Sequence, residues 1–187
     1  MGREVRRLYV EKKKGFDVEA QGLLHDLRDN LGISELKGVR IINRYDVSGL
    51  SEQEYKEARD TIFSNPPVDN VYDEKIDIHP SARILAIEYL PGQYDQRADS
   101  AAQCIQILTQ RERSQIKIAK LIVLEGQLTN IQYDKIKDYC INPMEAHEAS
   151  LDKPATLDTE TVVPKDVSMV EGFIGMSGAR GLSEGEN

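Results

Sequence analysis

The sequence LSEQEY, residues 50–55, returns in altered form as LTNIQY at residues 128–133. In each stretch a hydroxyl residue, Ser51 or Thr129, is followed three positions later by Glu or Gln, which is the capping box that begins an α-helix. The leucine before each cap can pack on the tyrosine four positions after the cap as a hydrophobic staple. Because Ser51 and Thr129 stand 78 positions apart, the two stretches predict that the chain contains the same helix start twice.

Other helix signals recur at nearly the same offset. Asp17 and Asp95, also 78 positions apart, lie where helix N-caps belong, and Pro66 and Pro143, 77 positions apart, follow the ends of the capping-box helices. Gly32 is placed to stop the first of the aspartate-capped helices. The inward positions predicted for these two helices are Ala20, Leu23, Leu24, Leu27 and Leu31 in the first and Ala98, Ala101, Ala102, Ile105 and Leu108 in the second. Together these signals indicate an internal duplication.

Apolar runs of strand length complete each copy. They lie at residues 5–10, 39–47 and 71–74 in the first copy and at residues 84–90 and 116–124 in the second. Each copy is therefore predicted as strand, helix, strand, helix and a final short strand. This order is typical of ferredoxin-like or split βαβ units, with helices on one face of a mainly antiparallel sheet. The predicted fold class is α+β, with two tandem units related by a pseudo-twofold axis that cover each other as a pseudodimer.

The duplicated domain is predicted to span residues 1–150, with copies at about 1–78 and 79–150. Residues 151–187 are predicted as a linker segment, the start of a truncated linker domain, because Pro154 and Pro164 interrupt any regular element. An apolar cluster in this segment is expected to dock on another surface; it consists of Val167, Met169, Val170, Phe173 and Ile174. The spacing of four glycines indicates a flexible linker and not a phosphate loop; they are Gly172, Gly175, Gly178 and Gly181.

Composition limits the classes of function. The chain has 187 residues, of which 40% are hydrophobic, so it can bury a core, and no apolar run approaches the roughly 20 residues that span a bilayer. A net charge of −8 makes nucleic acid an unfavourable partner. We expect a cytoplasmic protein with free thiols and with neither a nucleic-acid nor a membrane partner. The basic runs, Arg6 with Arg7 and residues 12–14, are expected to face solvent and not to hold a phosphate.

No catalytic, cofactor-binding or metal-ligating residue is predicted. Cys104 and Cys140 are expected to pack as small hydrophobes, because neither position suggests an activated thiol. The histidines His25, His79 and His147 are scattered, and none has a second histidine or a cysteine at i+3 or i+4, so a zinc site is not indicated. The isolated chain is therefore predicted to be inactive.

One polar stretch is unusual for a segment that has only a structural role. Residues 91–100, PGQYDQRADS, combine a turn, a cap and hydrogen-bonding side chains at the start of one helix. Such groups can make directed contacts with another domain or with an anion, or they can belong to a well-capped exposed helix. The candidate domain-interface residues are Gln93, Gln96, Arg97, Asp99 and Gln103.

The same run resembles the signature of the large multidomain phosphoribosylformylglycinamidine synthases. Other stretches similar to that family are residues 15–27, 43–47, 65–69 and 141–143, so the resemblance covers nearly the whole chain. Met144 and His147 depart from the expected pattern, which affects only the details of their loop.

The resemblance implies a purine-biosynthetic carbon–nitrogen ligase that uses glutamine as amide donor and ATP. No cofactor is implied for this stretch itself, whereas ATP and magnesium are implied for the parent enzyme. The ATP-binding synthetase core and the glutaminase of the family lie outside this stretch, so no catalytic residue carries over. What carries over is a scaffold role, with the synthetase and glutaminase domains of the same enzyme as partners and a contribution to sealing the path of ammonia.

Two other interpretations stay open. A stand-alone regulatory module could bind a small metabolite between paired ferredoxin-like units. A free-standing assembly subunit would differ from the ligase interpretation only in whether the gene continues past Asn187.

Overall fold

The computed structural model describes residues 4–158, which contain six strands, four α-helices and one π-helical turn. The first half (residues 5–73) contains β1 (Val5–Lys12), α1 (Val18–Asp29), β2 (Leu36–Ser48), α2 (Glu52–Ala58), the π-helical turn (Arg59–Phe63) and β3 (Asp69–Asp73). The second half (residues 83–148) contains β4 (Arg83–Tyr89), α3 (Gln96–Thr109), β5 (Ile116–Gly126), α4 (Asn130–Cys140) and β6 (Ala146–Glu148). The α+β fold class and the predicted order of elements are confirmed.

All six strands form one antiparallel sheet in the order β3-β1-β2-β5-β4-β6. The two halves therefore meet edge to edge, through β2 and β5 at the centre of the sheet. Asn43 of β2 pairs with Lys120 of β5 near the middle of this contact. Joining the halves in this way removes the sheet edge that each would otherwise expose.

The strands of the two halves pair in the same register at an offset of 77 residues. In the first half Val10 pairs with Asn43 and Val71. The residues 77 positions later repeat this arrangement, with Ile87 pairing with Lys120 and Glu148. Below, residues at equivalent places in the two halves are called counterparts; they lie 77 positions apart in strands and 78 apart in helices.

The helix starts also match between the halves. Both capping boxes form, at Ser51 and at Thr129. The Arg6 guanidinium lies 5.0 Å from the ring centre of Tyr55, and its counterpart Arg83 lies 4.2 Å from the ring centre of Tyr133, so each half places a cation over its staple tyrosine. These paired details extend the repeat beyond the strand registers.

The two aspartate caps behave differently. Asp95 accepts hydrogen bonds from the backbone N–H groups of Arg97 and Ala98, as an N-cap should. Asp17 makes no such cap, because its carboxylate accepts from the Gly15 N–H and from the side chain of Gln21. The prediction that the Asp17 side chain caps the first helix is therefore wrong.

All four helices pack on one face of the sheet, here called the helix face, and their apolar clusters join the two halves. One cluster combines α2 of the first half with α3 of the second and includes the fully buried Ile105. The other combines α1 with α4 and includes the fully buried Leu27. Since each cluster draws on both halves, neither half has a core of its own on this face.

The opposite face, here called the back face, buries charge. Arg7 of β1 is 3% exposed and donates two hydrogen bonds to Asp46 of β2, at 2.6 and 2.9 Å. The expectation that Arg7 faces solvent is therefore wrong: alternation along β1 points it away from the helix face, and residues 149–153 (the end segment) cover it. Arg7 donates to the carbonyls of Leu151 and Asp152, and Arg44 donates to that of Ser150.

Helix α4 runs unbroken to Cys140, whereas α2 changes to a π-helical turn after Ala58. Both segments end before the Asn-Pro stop, as predicted. No helix within residues 4–158 has the length and apolarity needed to cross a bilayer. The predicted apolar cluster and glycine spacing after residue 164 lie outside the described residues.

Candidate functional site

A cleft of about 720 Å³, here called the central cleft, opens on the helix face beside the contact between the halves. The central strands contribute Asn43 and Tyr45 from β2 and Ile118 and Lys120 from β5. The start of α3 and the end of α4 form two of its sides. A second cleft of about 190 Å³ begins at the start of α1 and shares Asn43 with the first. The cleft therefore lies where the two halves meet.

Two pairs of counterparts at the centre of this region differ in charge. Glu19 of α1 and Arg97 of α3 are counterparts, as are Asn43 and Lys120. The Lys120 ammonium lies 2.6 Å from the Glu19 carboxylate, so these two charges offset each other. Arg97 lines both clefts and forms no ion pair with a carboxylate of residues 4–158.

The five predicted interface residues separate into three groups. Gln96 and Arg97 line the central cleft. Asp99 is held within the chain: it forms an ion pair with Arg113, and it accepts from the side chain of Gln103 at 3.0 Å. The hydrogen bond from Arg113 is the main cause that lowers the pKa of Asp99. Gln93 lies in the exposed turn before α3.

Tyr45 forms part of the cleft floor and is nearly buried. Burial raises the pKa of its phenol, while the neighbouring Arg97 guanidinium acts in the opposite direction. The phenol therefore stays protonated at neutral pH and is available as a hydrogen-bond donor inside the cleft.

Both cysteines line the central cleft. Cys104 is exposed, so the expectation that it packs as a small hydrophobe is wrong; its place on α3, one residue before the buried Ile105, turns it away from the core. Cys140 is half-buried and packs against the α1–α4 cluster, and burial raises the pKa of its thiol to about 11. No histidine lines the cleft as described, so neither thiol has an imidazole base there.

The histidines lie elsewhere on the surface of the described chain. His25 contacts Asp29 at 2.8 Å, and His147 contacts Glu88 at 3.1 Å. Within residues 4–158 no three His, Cys, Asp or Glu side chains are grouped so that they could hold a metal ion. What the cleft offers is a set of binding groups: a cation, an amide, a phenol and apolar walls.

The surfaces of the two halves differ in apolar exposure. Ile107 of α3 and Ile131 of α4 are 77% and 82% exposed. Their counterparts in the first half are the polar residues Asp29 and Gln53. The other large apolar side chains exposed in the two halves are Tyr89, Tyr94, Tyr139 and Met144 in the second and Phe16 and Val18 in the first. Solvent-exposed apolar groups are therefore concentrated on the second half.

Comparison with known proteins leaves the function to be argued from these residues. A scan against protein-family models and a search of the curated proteins gave no match.

The repeat is the sequence signal that could have located the central cleft. Asn43 and Lys120 are counterparts in the repeat, and they also pair with each other where the two halves meet.

Proposed function

We propose that this chain is the N-terminal scaffold portion of a glutamine- and ATP-dependent phosphoribosylformylglycinamidine synthase. In this role it bridges the synthetase and glutaminase domains and helps to seal the transfer of ammonia between them. The resemblance of residues 91–100 to that family's signature supports the assignment. ATP and magnesium then belong to the parent enzyme and not to this module.

The finer architecture belongs to the same proposal. We infer two tandem split βαβ units of ferredoxin-like kind, related by a pseudo-twofold axis. In each half the second and third strands lie on either side of the first strand and run antiparallel to it. The helix that connects the second strand to the third therefore crosses over the first strand. The 77-residue register offset and the matched capping boxes support the duplication. An axis between Asn43 and Lys120, which are both register partners and counterparts, would relate the halves.

The observation that carries the scaffold role is the set of exposed apolar side chains on the second half. Exposed apolar side chains that lie together mark a surface that another protein covers, and the proposal assigns those of the second half to such surfaces. Ile107 and Ile131 lie on different helices of the second half, and their counterparts are polar, so this exposure is not a property of the repeated fold itself. The proposed occupants are the neighbouring domains of the same enzyme.

The need to seal the path of ammonia from solvent has a chemical reason. Ammonia that escapes into water at neutral pH becomes protonated and is lost as a nucleophile, so the two active sites must be joined without contact with solvent. A six-stranded sheet whose helices α3 and α4 each expose a large apolar side chain is suited to hold two domains in fixed relation. The predicted interface residues Gln93 and Gln96 lie at the exposed start of α3, where they can add directed hydrogen bonds.

The scaffold role is tested with Ile131→Lys in the enzyme that contains this chain. A charge in the covered surface should reduce glutamine-dependent turnover by about tenfold and leave turnover with supplied ammonia nearly unchanged, because only the former needs docked domains. Gln53→Lys is the matched control, since Gln53 occupies the equivalent second position of α2. Equal loss of both activities in Ile131→Lys, or equal behaviour of the two variants, would contradict the proposal.

The isolated chain should release no ammonia from glutamine. Such release, abolished by Cys104→Ala, would show instead that the chain is a glutaminase.

The central cleft favours a second candidate, the regulatory module that binds a small metabolite between paired units. Its volume of about 720 Å³ lies in the range of ligand sites. Calorimetry against amino acids and nucleotides tests this candidate, since a chain that is only a scaffold binds none of them tightly, whereas the turnover of Ile131→Lys tests the scaffold role separately.

A further inference from the structure

We propose that the central cleft is a binding site for a zwitterionic amino acid with a large apolar side chain. The site goes beyond the scaffold role and does not depend on it, because all of the residues that line it belong to the described part of this chain. Three features of the cleft specify the three parts of such a ligand: a cation and a carboxylate that have no partner of opposite charge within residues 4–158, and an apolar wall.

Arg97 is the group for the ligand carboxylate. Of the two cations that line the cleft, Lys120 is already held by Glu19 at 2.6 Å. The Arg97 guanidinium has no carboxylate partner within residues 4–158, and a guanidinium presents paired N–H donors that match a carboxylate. The Asn43 amide and the Tyr45 phenol lie on the same floor and can add hydrogen bonds to it.

Glu145 is the group for the ligand ammonium. Three acidic residues line the cleft, and two of them are engaged. The Asp95 carboxylate accepts the N–H groups at the start of α3, and the Glu88 carboxylate lies 3.1 Å from both Lys117 and His147. Glu145, in the turn before β6, has no cationic partner among the described residues. Among the described residues, the cleft thus has one cation and one carboxylate without a partner of opposite charge, and together they select a ligand that carries both charges.

The apolar part of the ligand has a wall to pack on. Ile62, Ile87 and Ile118 line the cleft from three elements, and Tyr89 adds a half-exposed ring. Apolar lining with a few convergent polar groups is the usual composition of small-molecule sites. The volume of about 720 Å³ has room for an aromatic side chain in addition to the charged groups.

The test uses the 187-residue chain and three probes with the same phenyl group: L-phenylalanine, 3-phenylpropanoate, which lacks the ammonium, and 2-phenylethylamine, which lacks the carboxylate. Binding is followed by calorimetry and, independently, by protection of Cys104 from iodoacetamide, read on its peptide by mass spectrometry. We expect L-phenylalanine to bind with Kd below about 1 mM and to protect Cys104, and each partial probe to bind about tenfold more weakly.

Variants identify the groups involved. Arg97→Gln and Glu145→Gln should each weaken L-phenylalanine binding by about tenfold, while Arg111→Gln, which removes an exposed guanidinium outside the cleft, should leave it unchanged. The assignment is overturned if L-phenylalanine does not bind at about 10 mM, if either partial probe binds as tightly as the amino acid, or if Arg97→Gln behaves like Arg111→Gln. Because these measurements use binding to the isolated chain, their failure leaves the turnover test of the scaffold role unaffected.

Discussion

Arg7 and Asp46 of the first half are the counterparts of Ile84 and Val123 in the second. Arg7 faces Asp46 across the β1–β2 pair, and Ile84 faces Val123 across the β4–β5 pair, in the same register and on the same face of the sheet. One pair is a buried ion pair, with side chains 3% and 1% exposed, and the other is apolar. Equivalent backbone positions therefore bury an ion pair in the first half and an apolar pair in the second.

The difference lies in what covers each pair. An apolar pair needs only apolar cover, and Ile76 and Ile78 of the link between the halves join its cluster. The ion pair also offers spare N–H donors, which bind carbonyls of the end segment. The charged pair thus fixes where the chain leaves the sheet, which an apolar pair could not do.

Asp46 should be the most sensitive residue of this comparison. Asp46→Ala leaves Arg7 and Arg44 buried without a carboxylate, and an uncompensated buried charge costs about 3–5 kcal/mol of unfolding free energy. Burial, together with the nearby Arg7, lowers the pKa of Arg44, so this region already disfavours its positive charge. Urea unfolding at neutral pH measures the change.

The counterpart variants sharpen this prediction. Val123→Ala should cost only about 2 kcal/mol, because it removes apolar contacts and leaves no charge behind. The double variant Arg7→Ile with Asp46→Val copies the pair of the second half and should be at least about 2 kcal/mol more stable than Asp46→Val alone. A loss below about 1 kcal/mol in Asp46→Ala would contradict the view that its charge is needed inside the fold.

Leu27 and Ile105 test the shared cores of the helix face. They are counterparts, and both are fully buried, but they lie in different clusters. Leu27→Ala and Ile105→Ala should each lower the unfolding free energy by about 2–5 kcal/mol. Because each cluster contains helices from both halves, each variant should keep a single unfolding transition in calorimetry. Two transitions, only one of them shifted, would show that the halves are independent domains.

The sequence predicted the repeated parts of this fold well. Helix caps, staples and strand-length apolar runs are local signals, and Ser51 and Thr129 both start the helices expected of them. The prediction that the Asp17 side chain caps a helix was wrong because its carboxylate accepts a hydrogen bond from the nearby Gly15 N–H. The residue type alone does not reveal this alternative.

The buried charges and the cleft could not be predicted in the same way. Arg7 is buried only because a segment more than 140 positions away covers it, so its environment depends on tertiary structure. The cleft likewise brings together Arg97 and Glu145, which are distant in sequence. Among the predicted interface residues, the place of Arg97 at a helix start is visible in the sequence, whereas the ion pair between Asp99 and Arg113 is visible only in the structure.

The caps give the smallest expected effect and the most direct test of whether the two halves form one structure. Ser51→Ala removes a single cap oxygen in the first half and should cost about 1 kcal/mol. Native-state hydrogen exchange then reads the slowest amides of β1 and β2 and, separately, those of β4 and β5. If the halves unfold together, exchange free energies in both should fall by the same amount, about 1 kcal/mol. A fall confined to β1 and β2, with β4 and β5 unchanged, would contradict the account.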